Sequence, residues 1–302
     1  MAAFPTMNAV SYFLPMKPAT DESYTLAEGP IWDKSRRRLL WVDIPSGTLL
    51  EGALDGDRIR VTRTHTFDSM LGAVVPAEDG SLLVAAQEEL IVLRPDGTRE
   101  IGPRLVAVGE GRRLNDGAVD PAGRFLVGTM LIDGESENER LVRVEYDGLV
   151  TELDNDLTLS NGLAWSPDGR RLYSTDTFRR RISVRDYDPA DGAVGERRVH
   201  LDLGESYPDG ITIDVEEHLW VAIWGEGEIR RYAPDGTLVD RREVPAPNVT
   251  SVAFAGDDLD RLVVTTATVA LTEQQRRDHP DSGHLFVVPV EVPGLPVTPW
   301  AH

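Results

Sequence analysis

Four oxygen-bearing side chains, Glu28, Asn115, Asn161 and Asp209, each stand within two residues of a glycine, in Ala27-Glu28-Gly29-Pro30, Asn115-Asp116-Gly117, Ser160-Asn161-Gly162 and Pro208-Asp209-Gly210. Two carboxylates and two amides brought to one point make an oxygen-rich cluster of the kind that hard or borderline divalent cations bind. Two negative ligands offset a divalent charge, and water in the remaining positions is what a catalytic site requires. Taken singly, Asn-Gly and Asp-Gly are ordinary turn signals. Glutamate has no such turn role, so Glu28 argues against that reading. Whether residues so far apart converge depends on the elements that carry them.

Those elements repeat. Six short β-rich apolar segments lead with residues 39, 82, 125, 172, 219 and 262, at spacings of 43, 43, 47, 47 and 43. They include Leu39-Leu40-Trp41-Val42, Leu82-Leu83-Val84-Ala85 and Leu219-Trp220-Val221-Ala222. Turn signals run in phase with them: Asp79-Gly80, Ala122-Gly123 and Asp168-Gly169 just ahead of a strand, and Asp55-Gly56, Asp96-Gly97, Asp147-Gly148, Asp191-Gly192 and Asp235-Gly236 at a later hairpin. A period of this length with several short strands per unit predicts blades of four antiparallel strands, and six units predict an all-β, six-bladed β-propeller. Residues 1–302 then form one domain, with 1–23 as an N-terminal extension or closing segment; a seven-bladed or partly open ring is the structural alternative. A short helix is expected over 271–279 (LTEQQRRDH) in the last blade.

In a propeller the innermost strand opens each blade, and its first residues line one mouth of the central channel. Ten to eleven positions ahead of the leading residues stand Glu28, Asn115, Asn161 and Asp209 in blades one, three, four and five. Blade two places Leu71 with Gly72 at that phase, and blade six has Val249 or Thr250 close to it, twelve to thirteen positions ahead. The shared phase predicts that the four polar side chains meet on the axis.

Composition bounds the chemistry. The 302 residues are 41% hydrophobic and 27% charged, an ordinary globular balance, and 31 basic against 51 acidic side chains leave a net charge of −20. That charge repels phosphate backbones and anionic lipid, so neither nucleic acid nor a membrane is expected as a partner. There is no cysteine, which removes disulfides, thiolate metal sites and cysteine nucleophiles and fits a reducing compartment. Residues 1–18 do not read as a signal peptide and no apolar run is long enough to span a bilayer, so a cytoplasmic location and a monomer are expected. The six histidines share no phase, and Ser160 and Ser174 have no histidine suitably placed, so neither a histidine zinc site nor a serine triad is indicated. Trp41 and Trp220 read as blade core, Trp224 as able to reach the channel mouth, and Arg36-Arg37-Arg38 and Arg179-Arg180-Arg181 as solvated surface.

Glu28-Gly29-Pro30-Ile31-Trp32, Arg113-Leu114-Asn115-Asp116-Gly117, Asp120-Pro121-Ala122-Gly123-Arg124, Gly128-Thr129-Met130, Ser160-Asn161-Gly162-Leu163-Ala164-Trp165-Ser166 and Pro208-Asp209-Gly210 occur in this order. In these motifs, from about Tyr24 to Pro296, the chain resembles the SMP-30/gluconolactonase family, which includes regucalcin and luciferin-regenerating enzymes. The resemblance implies one divalent ion (Ca²⁺, Zn²⁺, Mn²⁺ or Fe²⁺) held by Glu28, Asn161 and Asp209 and completed by water. It also implies a proton-transfer role for Asp209 and substrate contacts from Arg113 and Asn115. A family glutamate after Gly-Thr-Met aligns with Asp133, one methylene shorter, which bears on the identity of the sugar.

The expected activity is hydrolysis of a sugar lactone, an aldonolactone such as a glucono- or pentonolactone, to the aldonic acid. The metal would polarise the carbonyl and acidify bound water, Asp209 would take the proton and return it to the ring oxygen, and Arg113 would steady the oxyanion. Two other readings stay open: an aryl-esterase or organophosphate hydrolase on the same site, and a non-enzymatic calcium-binding regulatory protein; a carbohydrate-binding propeller stands behind them. Arg113 and Asn115 favour a substrate pocket, because an ion buffer needs neither.

Overall fold

The computed structural model describes residues 16–301. Six antiparallel sheets succeed one another along the chain, and their inner strands touch in cyclic order. These strands are Ala27–Asp33, Leu71–Pro76, Arg112–Val119, Ser160–Trp165, Tyr207–Ile213 and Val249–Ala255, and the last packs on the first. The chain is a six-bladed β-propeller, as the repeat predicts. Each leading residue opens the second strand of its blade or stands one residue inside it: Arg38–Asp43, Leu82–Ala86, Phe125–Leu131, Arg171–Asp176, Leu219–Trp224 and Arg261–Thr266.

The second strands are buried along almost their whole length, with apolar centres, because neighbouring blades cover both of their faces. Leu39, Leu40, Trp41 and Val42 are all fully buried. Val42, Val74 and Val84 share one inter-blade cluster, and Trp41, Trp220, Phe254 and Phe286 share another. Outer strands face water on one side and alternate accordingly, as in Leu238–Glu243.

Five blades have four strands. Among the described residues the sixth has three, Phe286–Pro289 being the third, and its outer edge is bridged by Pro18 opposite Phe286. Ala19 N–H donates to Leu285 O at 2.7 Å and Ala19 O accepts from Ile59 N–H at 2.8 Å, so this segment ties the last blade to the first. Residues 1–15 of the expected closing segment lie outside the described residues. The expected helix is present as Glu273–Asp278, with Thr272 and Gln275 forming a capping box. No helix among the described residues is long and apolar enough to cross a membrane.

All six inner strands slip register against their second strands at the same place, between Glu28 and Ile31, Leu71 and Ala73, Leu114 and Gly117, Ser160 and Leu163, Pro208 and Ile211, and Val249 and Ser251. A bulge re-aims the side chains beside it, and six in register form a ring at which the strands crowd the axis. A Cβ on Gly162 would lie 2.5 Å from Ile211 N, and one on Gly210 would lie 2.1 Å from Ser251 Oγ. Neither glycine has a positive φ. The Asn161-Gly162 and Asp209-Gly210 pairs are therefore strand residues whose glycines admit the next blade, not hairpin turns.

At the opposite mouth the C-terminal segment crosses the channel. Pro293 O accepts from Val215 N–H and Gly294 N–H donates to Leu259 O, both at 3.0 Å; Trp300 N–H then donates to Pro76 O at 2.8 Å and Ala301 N–H to Gly123 O at 2.9 Å. Blades five and six are thus strapped to blades two and three.

One surface expectation is corrected. Arg38 is mostly buried, with Nε 3.0 Å from Asp33 and Nη1 2.6 Å from Glu51, and Arg36 Nη2 donates to Glu78 O of the next blade at 2.7 Å. The acidic partners and carbonyls that hold them come from a strand pair and a neighbouring blade, which a run of like charges does not reveal. Arg180 is likewise engaged, stacked 4.7 Å from the centre of the Tyr207 ring.

Candidate active site

The starts of the inner strands surround a cavity of about 270 Å³ whose floor carries Glu28, Arg113, Asn115, Asn161 and Asp209. All five are buried. The sequence-predicted four therefore do converge, from blades one, three, four and five, and Arg113 joins them. At the same level in blade six, Thr250 Oγ1 donates to Ala27 O at 2.6 Å and closes the ring.

A chain of hydrogen bonds crosses three blades along this floor. Arg113 Nη1 donates to Asn115 Oδ1 at 2.6 Å and to Leu114 O at 3.0 Å. Asn115 Nδ2 donates to Asn161 Oδ1 at 2.8 Å and to Ser160 O at 2.9 Å. Asn161 Nδ2 donates to Thr177 Oγ1 at 2.9 Å, and Thr177 Oγ1 donates to Pro208 O at 2.8 Å, one residue before Asp209. Both amide hydrogens of Asn115 thus serve the protein, leaving one lone pair on Oδ1 for anything else. Asn161 Oδ1 keeps one lone pair as well.

The carboxylates are less well served. Glu28 Oε2 accepts from Gly29 N–H at 3.1 Å, whereas Asp209 Oδ1 is buried with no hydrogen-bond partner. Burial, reinforced by the charge of Asp116, pushes the Glu28 carboxyl up to about 8. Burial lifts Asp116 to about 6, and burial with the charges of Glu28 and Asp116 holds Asp209 well above the ordinary carboxylate range. Arg113 is brought down to about 10 by its own burial, against the pull of Glu28 and Asp209. Glu28 and Asp209 thus share one buried guanidinium, and an added positive charge would relieve both their repulsion and the orphaned oxygen.

The donor set fits such a cation: two carboxylates and an amide oxygen suit hard or borderline divalent ions. Among the described residues no three His, Cys, Asp or Glu side chains converge in a metal-binding arrangement, so any site here depends on the Asn161 amide. No histidine lines the cavity, and His302 lies outside the described residues.

Asp133 is not brought to this cavity. It is exposed on the segment after Phe125–Leu131, while Met130, three residues earlier, lines the wall. Trp224 does line it, as do Leu26, Leu159, Thr177, Phe178 and Tyr207, which the phase of the inner strands does not reveal. Met130, Thr177 and Trp224 share a phase of their own, five positions after the leading residues 125, 172 and 219. That phase ends the second strand at the same mouth. Asp116 faces the other way, into a cavity of about 470 Å³ beyond the bulges, which Leu295 to Thr298 of the strap help to enclose.

Residues 26–268 match the SMP-30/Gluconolactonase/LRE-like region. The chain belongs to this family. Among its relatives is the pentonolactonase of Haloferax volcanii, 37% identical over 261 residues that span 82% of this chain and 83% of the relative. The 6-deoxy-6-sulfogluconolactonase of Pseudomonas putida is 32% identical over 275 residues, covering 89% and 92% of the two chains. Among solved structures, a calcium-binding protein, regucalcin from Agrobacterium tumefaciens, superposes with a TM-score of 0.89 at 31% identity and covers 95% of this family member and 98% of its own chain.

Proposed function

We propose that this family member is a lactonase that opens an aldonolactone to the aldonic acid by attack of water, aided by a divalent cation at Glu28, Asn161 and Asp209. The observation that carries this is the orphaned Asp209 Oδ1, buried beside Glu28 and Arg113. A divalent cation bound there would polarise the lactone carbonyl and lower the pKa of water. Asp209, on the cavity floor, receives the proton as the water oxygen bonds to the carbonyl carbon. The tetrahedral oxyanion is steadied by Arg113, whose charge is fixed in direction by Asn115. As the bond from the carbonyl carbon to the ring oxygen breaks, Asp209 returns the proton to that oxygen, leaving acid and alcohol in one open chain. Asn115 acts mainly by holding Arg113 and Asn161 in place. All these residues come from one chain, so the six blades serve as a single catalytic unit.

A buried guanidinium beside the ion position opposes simple cation storage and makes sense where an anion develops. That weighs against a regulatory calcium-binding role, which the likeness to regucalcin otherwise raises. The test is a pH-indicator assay of chelator-stripped protein on five- and six-membered aldonolactones, phenyl acetate and a phosphotriester, with each divalent ion added back in turn. Lactone opening restored by an ion is the expected result. Tight calcium binding without turnover of any lactone would overturn the proposal.

The same geometry gives Thr177 a positioning role. Thr177→Val removes the acceptor of Asn161 Nδ2 and the donor to Pro208 O, two buried bonds each contributing about 1 kcal/mol. We expect kcat to fall about tenfold or more with KM little changed, and Thr177→Ser to restore it. A purely structural role would lower stability in both variants without that split in kcat and KM.

A further inference from the structure

The two innermost strands of blade five meet at the mouth that holds Glu28 and Asp209. Tyr207 opens Tyr207–Ile213, Trp224 closes Leu219–Trp224, and the two residues are paired directly opposite each other. Side chains so paired share one face of a sheet, with Cβ atoms about 5 Å apart. Both line the cavity, as does Asp209, two residues on from Tyr207.

Each carries a hydrogen that no group of the protein accepts. Arg180 Nη2 donates to the Tyr207 hydroxyl at 2.9 Å, and the Arg180 guanidinium lies 4.7 Å from the centre of the ring. A guanidinium only donates, so the phenol oxygen is the acceptor in that bond and its own hydrogen stays free. Accepting from a cation also makes the phenol a stronger donor. The backbone of Trp224 bridges to Asn248, while its indole N–H, a donor only, meets no acceptor among the described residues. Leu26, Leu159 and Phe178 around them carry no polar side-chain atom to take either hydrogen.

A lactone that fills the cavity displaces the water that would otherwise serve these donors, and a buried donor without an acceptor is costly. The lactone carbonyl belongs at the floor. Acceptors for the wall must therefore come from the rest of the ring, which a sugar lactone supplies as hydroxyl oxygens and a plain aliphatic lactone does not.

We infer that Tyr207 and Trp224 form a paired donor site for the ring hydroxyl oxygens of the lactone, and that they set a preference for polyhydroxylated over unsubstituted lactones. The inference rests on the lactonase reading and assigns two specificity-determining residues to that same site. Bonds to hydroxyls remote from the reacting carbonyl are made in ground and transition states alike, so their loss appears in KM.

The test crosses variants with substrates. The cation-supplied full-length parent, Tyr207→Phe, Trp224→Phe and the double variant are assayed on the fastest aldonolactone of the panel. Each is also assayed on the unsubstituted lactone of the same ring size, δ-valerolactone or γ-butyrolactone. Where that lactone opens too slowly, its inhibition constant against the sugar lactone is read instead. Each single change should lower kcat/KM on the sugar lactone about three- to tenfold, through KM, as expected for one uncharged hydrogen bond, and leave the unsubstituted lactone within about twofold. The double variant should lose more than either. Equal losses on both lactones, or none on the sugar lactone, overturns the inference while leaving the lactonase reading intact. Inactivity of the parent on the whole aldonolactone panel removes both.

Discussion

Asp209→Asn abolishes lactone opening, lowering kcat by about 10²- to 10⁴-fold, the usual contribution of a positioned proton acceptor, while the cation-free protein melts at a higher temperature than the parent. The two effects have one cause. Asp209 is buried, one of its oxygens has no partner, and Glu28 and Asp116 repel its charge. The carboxylate is thus a burden on the cation-free fold, one that its proposed proton-accepting role would offset. Asparagine fills the same volume without the charge, so the gain should appear at pH 8, where the parent's acids are driven to ionise. At about 2–4 °C per kcal/mol for a domain somewhat smaller than this one, a relief of even 1 kcal/mol is measurable by calorimetry. An active Asp209→Asn protein would remove Asp209 from its proposed role, and a variant that melts lower would show that its neighbours do not repel it.

Stability of the chelator-stripped protein falls as pH rises, opposite to the trend of ion-paired carboxylates. Glu28 moves from 4.5 to about 8 on folding and Asp116 from 3.8 to about 6. The unfolded chain gives up these protons at ordinary carboxylate values, but the folded chain keeps them to about 6 and 8. Between those limits the folded state binds more protons, so stability falls with pH, by up to about 1.4 kcal/mol per unit for each group. The contribution is complete below about pH 4 and gone above about 8. A divalent cation binds only the ionised acids, so its addition should raise the melting temperature more at pH 8 than at pH 5. Glu28→Gln should flatten both responses and separates them from the general repulsion of 51 acidic against 31 basic side chains. A melting temperature independent of pH in stripped protein, or a cation effect larger at pH 5, would contradict the assignment.

The architecture was legible because the second strand of each blade is covered on both faces. Leu39 to Val42 and Leu219 to Ile223 form unbroken apolar runs, and their spacing gives the blade count without reference to the more polar outer strands. The floor residues followed from phase, since a fixed offset from a buried strand fixes height along the axis. What phase cannot supply is how neighbouring blades meet. Thr177 bonds to Pro208 O across the blade boundary, beside the register slip that follows Pro208. Asp133 matches a local motif, yet a motif does not say whether the following segment folds over the mouth. Asp116, adjacent to Asn115, turns to the far cavity because successive strand residues point to opposite sides.

The bridge from Pro18 to Phe286 and the bond from Thr250 to Ala27 make the last blade the keystone of the ring. Until the segment around Phe286 is in place, blade one has no neighbour on one side, and the apolar faces of Trp41 and Leu39 stay wet. Pairings between such distant parts of a chain form slowly. During synthesis, blades one to five therefore exist as unfinished surfaces with sticky flanks, and Glu28 and Asp209 have no fixed separation until the circle shuts. Catalytic competence should arrive in a single late event, and a proteolytic cut within one blade should abolish activity by opening the circle rather than by trimming an edge.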